Sequence, residues 1–88
     1  MGSTLLSLTG AQRYNIACVY AICSGLAAKS LLAEEYALQA LGHLEKARME
    51  GFFAESKEIE LLQKDTDFDS IRQRKDFQEF VQALKPIK

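Results

Sequence analysis

Proline is almost absent from this sequence, and strand-like alternation of apolar and polar residues is scarce. The one proline, Pro86, lies close to the end of the chain. Proline is the residue that most strongly interrupts helices, so its absence elsewhere leaves the 88 residues free to form helices along most of their length. The sequence therefore predicts a small all-α fold.

Neither sign of charge dominates, and no long apolar run occurs. The chain has 11 Lys and Arg against 12 Asp and Glu, and the two signs are interspersed. Nucleic acids and anionic membrane surfaces attract strongly basic patches, so we expect neither as a partner. No apolar run approaches the roughly 18–20 residues of a membrane span. Leu5, Leu6 and Leu8, without a preceding basic residue, do not form a signal peptide.

The two cysteines, Cys18 and Cys23, are too few for a disulfide framework. They lie five positions apart on one predicted helix, about 140° around its axis, which prevents a bridge between them. Free thiols with apolar neighbours are typical of reducing compartments. We therefore expect a cytoplasmic protein.

Capping signals and helical periodicity predict four helices. Thr9 and Gln12 have capping-box spacing at the start of the first helix. Ser30 is the candidate N-cap of the second helix, and Gly51 is its expected C-terminal stop. We expect residues 1–8 to be a tag or a disordered lead-in, and 9–88 to form a single helical domain that is a fragment of a larger protein.

Apolar residues at helical spacing define the expected buried face of each helix. These residues are Ile16, Val19, Tyr20 and Cys23 in the first helix, Ala37, Ala40, Leu41, Leu44 and Ala47 in the second, Ile59 and Leu62 in the third (54–64), and Phe77, Phe80, Val81 and Leu84 in the last. The last set recurs at i, i+3, i+4 and i+7, which is the clearest amphipathic pattern in the chain.

The first two helices resemble a tetratricopeptide (TPR) repeat. The residues that carry the resemblance are Asn15, Ile16, Ala17 and Tyr20 in the first helix and Ala40, Leu44 and Ala47 in the second. The chain departs from the TPR pattern at two points. Arg13 occupies the position of the usual aromatic anchor, and about eleven extra residues are inserted around Leu26–Tyr36.

The remainder resembles the "end-of-group" tail that closes many bacterial TPR arrays. An Asp-x-Asp-Phe-Asp-x-Ile-Arg step runs from Asp65 to Arg72, and a Phe-x-x-hydrophobic helix follows it. Such tails occur in multidomain bacterial proteins, including some serine/threonine kinases. The resemblance implies a TPR-like antiparallel helix pair, then a third helix and a C-terminal capping helix.

Few residues suggest chemistry. Asp65, Asp67 and Asp69 alternate like the first ligands of an EF-hand loop, but Ser70 replaces the required glycine. The favoured interpretation is that these carboxylates cap helix ends. The only histidine, His43, has no carboxylate at a suitable helical spacing, and the cysteines lack a neighbouring base. We therefore expect no catalytic residue, no cofactor and no metal.

The favoured function is a non-catalytic module for protein–protein interaction and array capping. A helical repeat cannot bury its own face, so an array needs an end unit whose outer face is polar. Arg13 and Asn15 are candidate contacts for a protein or peptide partner.

Self-association as a homodimer is the alternative. Leu26, Leu31, Leu32 and Tyr36 in the inserted segment are more apolar than a solvated loop requires, and such patches often mark interfaces. They are candidate partner contacts as well. The sequence leaves open whether this insertion lengthens a helix or forms a loop.

Overall fold

The computed structural model describes residues 8–27 and 31–84. Its elements are the α-helices α1 (Gly10–Ala27), α2 (Leu31–Met49), α3 (Ser56–Lys64) and α4 (Lys75–Ala83), with a short 3₁₀ helix, η1 (Thr66–Ile71), between α3 and α4. No strand occurs in these two ranges, and the predicted all-α fold is confirmed.

The ends of the first two helices follow local capping signals. The Thr9 N–H donates to Gln12 Oε1 at 2.9 Å, and the Gln12 N–H donates to Thr9 Oγ1 at 3.1 Å, which confirms the predicted capping box. After α2, Gly51 adopts a φ of 88°, a conformation that favours glycine and ends the helix as predicted. The predicted N-cap Ser30 lies outside the described residues.

The described residues of the segment around Leu26–Tyr36 belong to the two helices of an antiparallel hairpin. α1 continues to Ala27 and α2 begins at Leu31. Arg13 near the start of α1 contacts His43 late in α2, whereas the Ser24 hydroxyl donates to the Ala33 carbonyl oxygen at 2.8 Å. These contacts show that the two helices run in opposite directions. They also show that the helices are in contact near both ends of the hairpin.

Small residues fill the contact between α1 and α2. Five alanines in the two helices have an exposed fraction of 1% or less, namely Ala17, Ala21, Ala37, Ala40 and Ala47. The predicted inner face of α2 is confirmed, since Ala37, Ala40, Leu44 and Ala47 are buried and Leu41 packs against them.

The predicted inner face of α1 is wrong. The buried residues of this helix are Tyr14, Ala17, Cys18, Ala21 and Ser24. Val19 is instead 58% exposed, and Ile16, Tyr20 and Cys23 are only partly buried. The physical reason is that alanine and serine allow the backbones to approach closely, so the larger apolar side chains are turned away from α2.

The second layer packs aromatic rings beneath the hairpin. Phe68 of η1 is fully buried, and its ring lies 5.5 Å from Tyr14 and 5.9 Å from Phe77 between centroids. Ile59 and Leu62 of α3 point inward as predicted. In α4, Phe77 is buried, and so is Leu84 directly after the helix, whereas Phe80 and Val81 are only partly buried. α4 therefore covers the aromatic core mainly through Phe77 and Leu84.

A charged clamp joins the start of α4 to the start of α2. Arg74 Nη1 and Nη2 donate to the two carboxylate oxygens of Glu34 at 2.6 and 3.0 Å. Arg74 also donates to both carboxylate oxygens of Asp76. The hydrogen bonds and charge of Arg74 lower the pKa values of Glu34 and Asp76. This ion pair links the start of α4 to the hairpin, although its exposure to solvent limits its contribution to stability.

Phe77→Ala is expected to lower the free energy of unfolding by about 3–5 kcal/mol, because truncating a buried Phe leaves a cavity. Phe80→Ala should cost less, since that ring is only partly buried. Urea unfolding followed by circular dichroism measures both losses. Gln78→Ala, exposed on the same helix, is the control and should change stability by less than about 0.5 kcal/mol. A loss below about 1 kcal/mol for Phe77→Ala would contradict this role of α4.

Candidate functional site

Asp65 forms a polar junction between α1 and the second layer. The Tyr14 hydroxyl donates to Asp65 Oδ2 at 2.7 Å, and the Asp67 N–H donates to Asp65 Oδ1 at 3.0 Å. Arg72 donates to the Asp65 carbonyl oxygen and, at 2.8 Å, to that of Gln63. The junction thus caps η1 and holds it against α1. For Asp65, the predicted capping role is confirmed.

The same junction brings together three side chains of metal-ligand type. Cys18 Sγ and carboxylate oxygens of Asp65 and Asp67 lie within 4.8 Å of one another. The sequence pattern does not predict this group, because Cys18 and Asp65 are far apart in the chain. Both Asp65 oxygens already accept hydrogen bonds. Burial, with the nearby Asp65 charge, raises the pKa of Cys18 to about 12, so its sulfur is a neutral thiol, and the metal-binding form is the thiolate. The arrangement fits a structural junction better than a metal site.

His43 lies in an aromatic cluster on the side of the hairpin that faces away from η1. Its ring stacks on Tyr20 at 5.5 Å between centroids and 7° between planes. Arg13 Nη1 lies 3.4 Å from His43 Nδ1. Burial, Arg13 and Lys46 lower the pKa of His43, which favours its neutral form. His43 is partly buried, next in sequence to the buried Leu44 of α2.

Two apolar surfaces flank α1, of which one is partly buried and the other is exposed to solvent. Tyr20 and Cys18 are two residues apart, so they point to opposite sides of α1. Cys18 faces the Asp65 junction, whereas Tyr20 contacts Tyr36 and His43 of α2. We name the second side the open face and define it by Ile16, Tyr20, Leu32, Tyr36 and His43.

The exposed surface is the outer stripe of α1, defined by Asn15, Val19, Ile22 and Leu26. These residues recur at helical spacing on the side away from the core. Val19 is 58% exposed, Ile22 44% and Leu26 81%. Exposed apolar side chains that share one helix face form a patch, and contiguous patches mark interaction sites more often than isolated residues do.

The six predicted partner contacts are distributed over three surfaces. Leu32 and Tyr36 belong to the open face, and Arg13 borders it through its contact with His43. Asn15 and Leu26 belong to the outer stripe. Leu31, which is 88% exposed, lies about 180° around α2 from Ala40 and so belongs to neither.

The apolar periodicity places Tyr20, which is partly buried, and Val19 on the buried side of α1 and gives no position to Ile22. Val19 and Ile22 are nevertheless exposed. One signal in the sequence identifies them. Arg13 is the only charged residue among the 18 of α1. A helix that is apolar on all sides is normally buried on all sides. Because α1 carries so little charge, any side of it that no other element packs against is expected to expose apolar side chains.

Comparison of the chain with protein-family models, with curated proteins and with solved structures finds no match. None of the helices within residues 8–27 and 31–84 combines the length and apolar character needed to cross a bilayer.

Tyr14→Phe is expected to lower the free energy of unfolding by about 1–3 kcal/mol, because Asp65 Oδ2 loses its hydroxyl donor while the aromatic packing remains. Chemical denaturation measures the change. Tyr20→Phe, at the open face, is the matched control and should change stability by less than about 0.5 kcal/mol. Equal losses in the two variants would show that the Asp65 junction does not stabilise the fold.

Stability is expected to decline in alkali through Cys18 and Tyr14. Burial raises the pKa of the Cys18 thiol from 9.0 to about 12 and also raises the pKa of Tyr14. The unfolded chain therefore releases these protons at lower pH than the folded chain. This contribution to stability is complete below about pH 9 and is lost as the pH rises toward about 12.

Urea unfolding at a series of pH values between about 8 and 11 tests this dependence. Cys18→Ala should flatten the decline, because one of the shifted groups is gone. Cys23→Ala is the control and should leave the slope unchanged. The same slope in wild type and Cys18→Ala would contradict the assignment to Cys18.

Proposed function

We propose that this chain is a non-catalytic, TPR-like interaction module that closes one end of a helical-repeat array. In this proposal it is the C-terminal segment of a larger bacterial cytoplasmic protein, and a helical neighbour docks on the open face. The free cysteines Cys18 and Cys23 support a reducing compartment. The resemblance of the Asp65–Arg72 segment to array-closing tails supports the terminal position.

The observation that carries the proposal is the charge content of α1. Its 18 residues include a single charge, Arg13, yet seven of them are exposed, among them Val19, Ile22 and Leu26. By contrast, the nine residues of α3 include four charges, Lys57, Glu58, Glu60 and Lys64. The composition of α3 is thus that of a solvent-exposed helix, and the composition of α1 is that of a helix buried in a protein interior. A docked neighbour on the open face would complete that interior.

The two sides of the molecule differ as an end unit requires. The outer surface of α4 is polar, with exposed Lys75, Gln78, Glu79 and Gln82. By contrast, the open face includes the neighbouring Tyr20 and Tyr36 rings and Leu32, which is 52% exposed. A terminal repeat needs one polar side for solvent and one apolar side for its neighbour, and this asymmetry supports capping.

The surroundings of the titratable groups support a non-catalytic role. His43 stacks on Tyr20 and contacts Arg13, an arrangement with no nucleophile to activate. Cys18 is buried, and the raised pKa of its thiol disfavours the nucleophilic thiolate. These groups contribute to packing within the cluster and the junction described above.

A fusion to consensus TPR repeats tests the capping function. Leu32 and Leu38 are both 52% exposed on α2, but they lie about 120° apart around the axis. Only Leu32 belongs to the open face, so Leu38→Gln is a matched control for Leu32→Gln. Placed after the array, the wild-type chain is expected to raise the array's denaturation midpoint through interface coupling. Leu32→Gln should remove this gain, and Leu38→Gln should keep it.

The isolated chain provides the second control for this experiment. Both variants should unfold within about 0.5 kcal/mol of wild type, because each changes an exposed side chain. Capping would be contradicted if, in the fusion protein, the array and the chain each unfold at the denaturation midpoint that they have when separate. So would equal losses of coupling in the two variants.

A further inference from the structure

We propose that His43 is a proton-sensitive switch of the open face. The contact of Arg13 with the His43 ring holds only while the imidazole is neutral. Acidification displaces the Arg13 side chain and weakens docking at this face. The contact exists in the isolated chain, whereas the effect on docking rests on the proposed capping function.

The contact between Arg13 and His43 requires a neutral imidazole. Arg13 Nη1 lies 3.4 Å from His43 Nδ1. A guanidinium group has only hydrogen-bond donors and does not lose its proton in proteins, so Nδ1 has to be the acceptor. An imidazolium carries an N–H donor on both ring nitrogens. After protonation, two donors and two positive charges would therefore face each other across this contact.

The titratable groups around His43 come from α1 and α2. Arg13 and Tyr20 approach it from α1, and Tyr36 of α2 packs against Tyr20. Lys46 lies one helical turn further along α2. Burial, together with the charges of Arg13 and Lys46, lowers the pKa of His43. This is the direction that the geometry of the contact requires.

No carboxylate neutralises the positive charges beside His43. All 12 acidic side chains of the sequence belong to the described residues, and none of them forms an ion pair with Arg13 or Lys46. Glu50, one helical turn beyond Lys46, pairs with neither. The other three arginines of the chain each pair with a carboxylate. Protonation of His43 therefore adds a third positive charge to a group that already holds two.

The Arg13 side chain can relieve the repulsion by moving, because it borders the open face and is only partly buried. Its movement would change the shape of the face beside the Tyr20 ring. A docked neighbour would exclude water from His43, which strengthens the repulsion between the two charges and disfavours the charged imidazole further. Docking and protonation of His43 therefore oppose each other, and by reciprocity acidification weakens docking.

NMR titration of the isolated chain tests the contact. His43 is the only histidine, so its ring protons report a single site. We expect the pKa of His43 in wild type to lie below 6.5, and Arg13→Gln to raise it because the guanidinium charge is gone. Lys75→Gln removes an equal charge from the exposed surface of α4 and should leave it unchanged. An equal pKa in wild type and Arg13→Gln would overturn the proposed switch, as would a wild-type pKa of 6.5 or above.

The fusion to consensus TPR repeats, with an array that lacks histidine, tests the effect on docking. The coupling constant between wild-type chain and array should be at least about threefold lower at about pH 5.5 than at about pH 7.5, because protonated His43 opposes docking. His43→Gln does not titrate in this range and should give equal coupling at both pH values. Arg13→Gln, with a smaller loss than wild type, is the second variant if circular dichroism shows that His43→Gln does not fold.

Equal coupling of the wild-type chain at the two pH values would overturn the effect on docking. Coupling that grows on acidification would overturn it as well, because it would show that the neighbour presents an anionic group to protonated His43. A fusion without coupling at either pH would contradict both capping and the effect on docking. The NMR titration decides the contact of Arg13 with His43 independently, so the failure of the switch and the failure of capping are distinguishable.

Discussion

The alanine-lined contact between α1 and α2 is the constraint on which the other features of the structure depend. Ala17 and Ala21 of α1 and Ala40 of α2 are completely buried. Because this contact has room only for small side chains, the larger apolar residues of α1 point elsewhere. Tyr14 points to the second layer, and Val19 is exposed to solvent. The surface available for partners is thus a consequence of how the hairpin packs.

The Asp65 junction shows how the same hairpin fixes the second layer. One carboxylate accepts hydrogen bonds from Tyr14 of α1 and from the backbone of η1. Gly25 makes this approach possible, since a Cβ there would lie 2.9 Å from Ser70 Cβ. The Ser70 hydroxyl donates to the Ala21 carbonyl oxygen at 2.6 Å. Polar contacts therefore position η1, and the rings of Phe68 and its neighbours fill the space that remains.

Local signals in the sequence predict the elements of this fold better than they predict which sides meet. The Thr9 capping box and Gly51 act within a few residues, so both are readable from sequence. The buried face of α1 cannot be predicted in this way. Both Val19 and Ala17 are apolar enough to face inward, and the close approach of the α2 alanines determines that Ala17 does. The contact of Cys18 with Asp65 depends on the tertiary arrangement and has no local signal.

The uncharged surface of α1 has an energetic consequence for function. Val19, Ile22 and Leu26 in water forgo the free energy that burial would provide, at roughly 25 cal/mol for each Å² of apolar surface. Nothing in the packing of α1 on α2 requires apolar residues at these positions, since lysine or glutamate would serve a solvated helix as well. In our proposal a partner covers residues of this kind on α1. That is why the interaction surfaces are assigned to α1 and not to the charged helices α3 and α4.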